Sequence, residues 1–127
     1  MKKLLLITSL LFTTLAYGDW TKTRFSDEST MFIDSQAIKK TGDLVRVTHL
    51  LNFPLSTKSP DNKITYKSSK TVEEFDCRKG SSRTLSFEWY SGEMGKGNRL
   101  YKDVTTYPFE KLTERSLVDG VRKRVCG

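Results

Sequence analysis

The two cysteines of this 127-residue chain, Cys77 and Cys126, restrict its folding more than any other pair of residues. Cys77 lies in the stretch "EFDCRKG" (74–80), between acidic and basic side chains. On this local pattern alone it could be a nucleophile, a metal ligand, a free core thiol or half of a disulfide. The compartment in which the chain folds decides among these roles, because disulfides form and persist mainly in oxidising surroundings.

The first eighteen residues have the pattern of a bacterial export signal. Lys2 and Lys3 precede a Leu-rich apolar stretch that is too short to span a membrane, and "AYG" places small residues before a cleavage point at Asp19. We therefore expect a signal peptide over 1–18, a mature single domain over 19–127, and a location in the periplasm or outside the cell. No cysteine lies near the cleavage point, which disfavours a lipid anchor and thus display on the outer-membrane surface.

Export favours a disulfide, and two cysteines allow one intramolecular pairing, Cys77 with Cys126. Closing a loop of about 50 residues stabilises a fold by about 4 kcal/mol on the chain-entropy model. A zinc site would need more ligands than two distant cysteines and His49, the only histidine, can supply. The sequence therefore predicts a structural disulfide, no metal site and no cofactor.

The mature chain would be basic and of a size that suits one domain. Two of the 22 lysines and arginines and none of the 15 acidic residues precede Asp19, which leaves 20 positive and 15 negative charges and a net charge of +5. Such a surface attracts acidic polymers or membrane headgroups. No second apolar run of spanning length follows the leader, so we expect no transmembrane segment.

Hydrophobic alternation predicts an antiparallel meander of about six strands. Residues 20–25 and 31–33 suggest a first hairpin, and "LVRVTHLLNF" (44–53) is the most core-like strand. Its residues on one face at period two are Val45, Val47, Leu51 and Phe53. Pro54 is expected to end this strand, and "PLSTKSPDNK" (54–63) to form an exposed loop.

Two later strands are expected to form a hairpin at Gly80. The first lies within 64–78, where Phe75 and Cys77 share a face, and the second is "RTLSFEWYSG" (83–92). Trp89 in the second strand is expected to be core under a helix. Glycines at 92, 95 and 97 predict a further tight connection.

A helical pattern is confined to the C-terminal end of the sequence. Ser116 is a good N-cap, and Asp119 follows three residues later, where a carboxylate favours the positive start of a helix. The apolar residues Leu117, Val118, Val121 and Val125 cluster on one side of the helical wheel. That side needs a partner, so the sequence predicts an α+β fold: a twisted antiparallel sheet with a C-terminal α-helix packed on one face and tied to it by the disulfide.

Several stretches together resemble the bacterial surface-adhesin protein E family. They are "FIDSQAI" (32–38), "YKSSKTVEEFDC" (66–77), "RTLSFEWYSGEMGKG" (83–97) and "SLVDGVRKRVC" (116–126), in the family's order and spacing. The resemblance implies an antiparallel sheet whose concave face holds a C-terminal helix through the disulfide. It also implies binding to host matrix and serum proteins and allows a homodimer. The chain departs from the family at Arg46, where a tryptophan is usual.

The chain offers few candidates for catalytic or cation-binding groups, and each also has a structural interpretation. His49 lies on the apolar face of its strand and could be a general base, but no motif links it to a nucleophile or carboxylate, which favours a core or edge histidine. Of Glu73, Glu74 and Asp76, only Glu74 and Asp76 can converge on one strand face, and a solvated face is the favoured interpretation. The motifs predict no catalytic residue and a non-enzymatic protein.

Two further motifs favour structural roles. The segment 95–97, "GKG", lacks the spacing of a phosphate-binding P-loop and is interpreted as a turn. Trp89 and Tyr90 near Arg83 and Arg99 could suggest a base-stacking surface, but export argues against a nucleic-acid partner.

Two basic groups are candidate contacts for anionic partners. They are the C-terminal Arg122, Lys123 and Arg124, and the loop-associated Lys58, Lys63, Lys67 and Lys70. The leading hypothesis is an exported binding or adhesion-type protein that contacts proteins at the cell surface or in the envelope. The alternative is a periplasmic module that binds a small molecule or an envelope component, or another kind of envelope protein; an apolar pocket between helix and sheet would favour the module.

Overall fold

One antiparallel sheet, one α-helix and a short 3-10 helix make up the described part of the chain, residues 20–127 of a computed structural model. The predicted signal peptide, residues 1–18, lies outside the described residues. The elements are β1 (Trp20–Phe25), β2 (Thr30–Asp34), β3 (Lys39–Thr41), β4 (Leu44–Lys58), β5 (Thr65–Asp76), β6 (Ser81–Tyr90), a 3-10 helix (Glu93–Gly95), β7 (Arg99–Asp103), β8 (Glu110–Lys111) and α1 (Leu117–Cys126).

The strands follow the predicted meander. Six of them lie in the order β1-β2-β4-β5-β6-β7, and every neighbouring pair is antiparallel. The two remaining short strands pair at edges, β3 with the start of β4 and β8 with the start of β6. The predicted α+β arrangement of about six main strands and a C-terminal helix is therefore confirmed.

The core lies between one face of the sheet and α1. Alternate residues of β2, β4 and β5 face the helix, because successive side chains of a strand point to opposite faces of the sheet. The buried members are Met31, Ile33, Val45, Val47, Phe75, Val121 and Val125, none more than 4% exposed. This solid apolar contact fills the space between helix and sheet and stabilises the position of α1.

The helix begins and ends as the sequence predicts. The Ser116 hydroxyl accepts a hydrogen bond from the Asp119 amide at 3.1 Å, which satisfies one of the free N–H groups at the start of a helix. The Asp119 carboxylate in turn accepts from the Arg115 amide at 3.2 Å. At the other end, Cys126 forms a disulfide with Cys77, with a Cα–Cα distance of 5.5 Å. The predicted disulfide is confirmed and holds the end of the helix on the sheet.

The opposite face of the sheet is covered in part by the connection between β6 and β7. This connection folds back so that the Gly95 amide donates to Ser68 Oγ at 2.9 Å and the Met94 amide donates to Asn52 Oδ1 at 2.8 Å. Ser68 Oγ also donates to the Gly92 carbonyl at 2.7 Å. Leu50 is fully buried on this face, so the middle of β4 is buried on both sides.

Two local predictions were wrong. Pro54 does not end its strand, and the loop predicted over 54–63 is confined to 59–63, because β4 continues to Lys58. The chain bulges between Asn52 and Thr57, where the register shifts. The bulge removes Pro54 from the hydrogen-bond ladder, to which it has no N–H to donate, and Ser56 adopts φ 68°. Trp89 does not lie under the helix, because its ring stacks on Tyr66 away from the core.

Candidate functional site

Five aromatic side chains form a continuous surface at the end of the sheet away from the disulfide. Trp89 of β6 pairs with Ser69 of β5 and with Tyr101 of β7, whereas Cys77 follows the other end of β5. The aromatic strip, as we call this surface, consists of Phe53, Tyr66, Phe87, Trp89 and Tyr101. It is brought together by strands that are distant in sequence but adjacent in the sheet.

Ring contacts fix the geometry of the aromatic strip. The Tyr66 and Trp89 rings are stacked with centroids 4.5 Å apart and planes 2° apart, and Trp89 lies 4.8 Å from Tyr101. Phe53 meets Tyr66 edge to face at 5.9 Å. Such pairs add stabilisation beyond that from buried area. The rings are only partly buried, and Tyr101 keeps 42% of its surface exposed.

A groove of about 460 Å³ continues the aromatic strip toward the helix. Its floor is formed by β5 and β6, one wall by the segment 107–113, and the other by the start of α1. The segment is held beside β6 by a hydrogen bond from the Tyr107 amide to the Thr84 carbonyl at 3.0 Å. Phe87 belongs to both the strip and the groove, so the two form one surface.

Glu73 places a carboxylate on the floor of this groove although its side chain is only 8% exposed. Its Oε2 accepts a hydrogen bond from the Thr84 hydroxyl at 3.0 Å. His49 Nε2 lies 3.8 Å from the same oxygen, too far for a hydrogen bond, and neither His49 nitrogen has a hydrogen-bond partner within residues 20–127. The prediction that His49 lies on the apolar face is confirmed.

A second concavity, of about 280 Å³, borders the far end of the aromatic strip. It lies between the turn that joins β4 to β5 and the rings of Trp89 and Tyr101. Burial raises the pKa of the Tyr66 hydroxyl, which stays neutral at physiological pH. The strip is thus an uncharged surface between two concavities.

The other carboxylates of "EEFD" do not form a cation site. Glu74 is buried on the face opposite Glu73, where it pairs with Arg83 at 2.7 Å and with Arg46 at 3.3 Å, so the interpretation of a solvated face was wrong for Glu74. Asp76 accepts hydrogen bonds from the backbone amides of the following turn. Within residues 20–127, no group of three or more His, Cys, Asp or Glu side chains could hold a metal ion.

The residues considered for base stacking also have structural partners. The Tyr90 hydroxyl bonds to Glu88, and burial together with that carboxylate raises the pKa of Tyr90 to about 12. Arg99 lies 3.9 Å from the same Glu88. The guanidinium of Arg83 lies 4.5 Å from the centre of the Phe109 ring besides its pairing with Glu74. The segment 95–97 forms the predicted turn.

The structure does not gather the predicted basic residues into one site. Arg122 Nε donates to Asp119 at 2.8 Å and Lys123 Nζ lies 3.4 Å from the same carboxyl, while Arg124 is exposed. The other group, Lys58, Lys63, Lys67 and Lys70, is spread along the β4–β5 hairpin. Lys58 pairs with Thr65, five residues before Lys70, which corresponds to about 17 Å along a strand.

Sequence reasoning missed the aromatic strip and the groove. A signal was present, because Phe87 and Trp89 occupy alternate positions of β6, but their partners Tyr66 and Tyr101 come from other strands. Only the pairing register brings these rings together.

No helix of residues 20–127 is long and apolar enough to cross a membrane.

Comparison with known proteins places these features in a family. The family model described as surface-adhesin protein E matches residues 20–127. The structure of Haemophilus influenzae protein E is similar at 16% identity, with a TM-score of 0.59 over 84% of this chain and 92% of that chain. Its crystal form II gives a TM-score of 0.61 over 82% and 91% of the two chains, also at 16% identity.

Protein E from non-typeable Haemophilus influenzae gives a TM-score of 0.56 at 16% identity, over 90% of this chain and 78% of that chain. No curated protein sequence matches the chain. These likenesses confirm the predicted fold.

Proposed function

Because the chain belongs to the surface-adhesin protein E family, we propose that it is an exported, non-enzymatic binding protein of the adhesion type that contacts other proteins through the aromatic strip. The observation that carries this proposal is the partial exposure of five mutually packed rings on one surface. Tyrosine and tryptophan dominate the energetics of protein interfaces, since they bury large areas with little loss of side-chain entropy.

The proposed setting is outside the cytoplasm. Residues 1–18 would act as a cleaved signal peptide and residues 19–127 would form the single mature domain, in the periplasm or outside the cell. The Cys77–Cys126 disulfide supports this setting, because oxidising compartments preserve such bonds. Partners would be proteins of the cell surface or envelope, including a second copy of this chain, and no nucleic acid.

The basic residues would supply auxiliary contacts. Arg124 and the lysines of the β4–β5 hairpin, Lys58, Lys63, Lys67 and Lys70, would attract acidic regions of a partner over a longer range than the rings act. Arg122 and Lys123 would contribute less to this attraction, because both are already paired with Asp119.

The test compares capture of proteins by the wild type and by a strip variant. Immobilised residues 19–127 should retain matrix or envelope proteins at micromolar concentration, and Trp89→Ala should weaken retention at least tenfold, as for a hot-spot tryptophan. Phe25→Ala is the matched control, because Phe25 is an exposed ring on β1 outside the strip. Failure to retain any protein, or equal losses in both variants, would refute the proposal.

A second candidate function is the binding of a small molecule or envelope component. The groove beside α1 supports it, with a volume of about 460 Å³ that suits small ligands. The lining of the groove argues against it, since it includes the charged residues Glu73, Arg83 and Lys111, and the apolar contact between α1 and the centre of the sheet is filled by packed side chains. Protein contacts are therefore the better-supported function.

A further inference from the structure

We propose that the groove between β6, the segment 107–113 and the start of α1 holds a lysine or arginine side chain of a protein partner, with its cationic head group on the Glu73 carboxylate. This inference rests on the proposed function, because the side chain would belong to a protein docked on the adjoining aromatic strip. It adds to that function a chemical preference for the partner.

The first argument is the charge on the groove floor. A buried carboxylate normally has a charged partner or several hydrogen bonds, since removing it from water without them is costly. Among the described side chains, Glu73 receives one hydrogen bond, from the neutral Thr84 hydroxyl. Of the side chains described within residues 20–127, no lysine or arginine comes within 4 Å of it, and His49 at 3.8 Å makes no hydrogen bond. The carboxylate is therefore available to a cation that enters from the groove.

The second argument is that the two cationic residues lining the groove, Arg83 and Lys111, are engaged elsewhere or lie at its rim. Arg83 lines the groove, but its guanidinium pairs with Glu74 on the other side of β5 and stacks on Phe109. Lys111 is exposed on β8, which pairs with the start of β6. Its opposite-sign neighbour Glu110 is exposed as well, so the charges at the rim offset one another.

The third argument is the chemistry of the groove walls. Phe87 and Tyr107 contribute aromatic rings, and Leu112 and Val118 contribute aliphatic groups. Lysine and arginine bury their methylene stems against such walls and keep the charged end for a polar partner. Aromatic faces also attract the cation itself. A carboxylate or phosphate ligand would instead meet the negative charge of Glu73 at the floor.

The experiment titrates ¹⁵N-labelled protein with three short peptides that differ in one side chain. The blocked peptide Gly-Lys-Gly should shift the amide signals of Thr84, Phe87 and Leu112. Replacing lysine by norleucine, which keeps the stem and removes the charge, should weaken binding about tenfold, as expected for loss of a charge-assisted hydrogen bond. Replacing it by glutamate should abolish the shifts.

Two variants locate the charge that the lysine peptide recognises. Glu73→Gln keeps an acceptor for the Thr84 hydroxyl and should remove the preference for lysine over norleucine, whereas Glu110→Gln at the exposed rim should keep it. The variants' own amide spectra check that they are folded. Equal binding of the lysine and norleucine peptides by the wild type would overturn the assignment without any variant. Equal losses in Glu73→Gln and Glu110→Gln would overturn it as well.

This test is separable from that of the proposed function, because the peptides are titrated without a protein partner. Capture of proteins that depends on Trp89, together with no response to the lysine peptide, would refute the groove assignment and leave the adhesion proposal intact. The converse result, with a Glu73-dependent peptide response and no capture, would refute adhesion through the aromatic strip. Because no protein would then dock on the strip, this result would also refute the proposal that a partner protein's side chain occupies the groove.

Discussion

Glu73 and Glu74 are adjacent in sequence and lie in opposite environments, because neighbouring strand residues face opposite sides of β5. Glu74 stands directly opposite Arg46 on β4 and Arg83 on β6, so it sits between two guanidinium groups. Arg83 donates two hydrogen bonds to Glu74 Oε1, at 2.7 and 3.0 Å, and Arg46 donates one to Oε2 at 3.3 Å. The charged ladder ties three strands together on the face opposite the helix.

The two arginines of this ladder should contribute unequally to stability. Arg83→Met removes two hydrogen bonds from a buried carboxylate and should lower the free energy of unfolding by about 2 kcal/mol. Arg46 is half exposed, so water screens its pairing, and Arg46→Met should cost less than about 1 kcal/mol. Urea unfolding of the two variants checks the difference. Equal losses of unfolding free energy in the two variants would show that the number of hydrogen bonds to Glu74 does not determine what each arginine contributes.

Asp119 should make the stability of the helix depend on pH. The hydrogen bond from Arg122, aided by the Arg115 amide, lowers the pKa of this carboxyl below its ordinary value of 3.8. The folded state therefore releases the proton more readily than the unfolded state, and the ionised carboxylate stabilises the fold above the ordinary value. That contribution is lost as the pH falls through the lower, folded value.

Asp119→Asn should accordingly reduce stability at neutral pH, and the gap to the wild type should narrow as the pH falls from about 5 to about 3. Thermal unfolding over this range measures the gap. Asp27→Asn, at an exposed position in the β1–β2 turn, provides the control and should track the wild type. A gap that stays constant with pH would contradict the assigned role of Asp119.

At the scale of elements, the connection between β6 and β7 explains a burial pattern that alternation alone does not predict. Hydrophobic alternation predicts one buried face for β4, yet Leu50 and Asn52 are buried on the other face. Their cover comes from glycine-rich residues about 40 positions later, which fold back onto the sheet. Such a contact depends on chain reversal and has no local signature.

Gly97 allows this connection to close and should tolerate no side chain. Its φ is +80°, and an added Cβ would lie 2.4 Å from Ser91 Oγ, the atom that accepts a hydrogen bond from the Asn98 amide. Gly97→Ala should therefore destabilise the protein by about 2–3 kcal/mol, through both backbone strain and the lost hydrogen bond. Chemical denaturation measures the loss.

The matched control for Gly97 is Gly42→Ala in the β3–β4 turn. Gly42 has a φ of +61° with no atom within 4 Å of the added Cβ, so only the backbone strain of about 1–2 kcal/mol applies. Equal destabilisation by the two substitutions would mean that the close approach to Ser91 has no energetic effect.

Local signals predicted the elements well, and nonlocal pairing explains most of what they missed. The hairpin at Gly80 and the cap at Ser116 were predicted because turn and cap chemistry depends on a few adjacent residues. Trp89 was misplaced because apolar character predicts burial without naming the partner, and here the partner is an aromatic strip. The bulge after Asn52 was missed because a proline is compatible with a strand end as well as a bulge.

At the scale of the whole molecule, the two ends of the sheet differ in construction. One end is closed by α1 and the disulfide, where the core residues are almost fully buried. The other end carries the aromatic strip and the smaller concavity, with partly exposed rings, and the groove runs from the strip to the start of α1. The packed end stabilises the sheet that carries the aromatic strip. This construction suits a protein that binds through a preformed surface, because binding then orders few additional groups.

The disulfide should supply a large share of the stability of this arrangement. It closes a loop with a sequence separation of 49, and the chain-entropy model gives about 4 kcal/mol for such a loop. The double variant Cys77→Ser, Cys126→Ser should lose about that amount in urea unfolding. Reducing the wild-type protein should give the same loss, which separates the covalent bond from any effect of the serine side chains.

Loss of the bond should also loosen α1 before the sheet unfolds. The helix would remain attached to the sheet only through side chains such as Val121 and Val125, and its last turn would lose its covalent anchor. Hydrogen exchange should therefore speed up in α1 more than at the centre of β4 and β5, whose amides are held by strand partners on both sides. Uniform acceleration across helix and sheet would instead show that the two unfold as one cooperative unit, with the disulfide stabilising both equally.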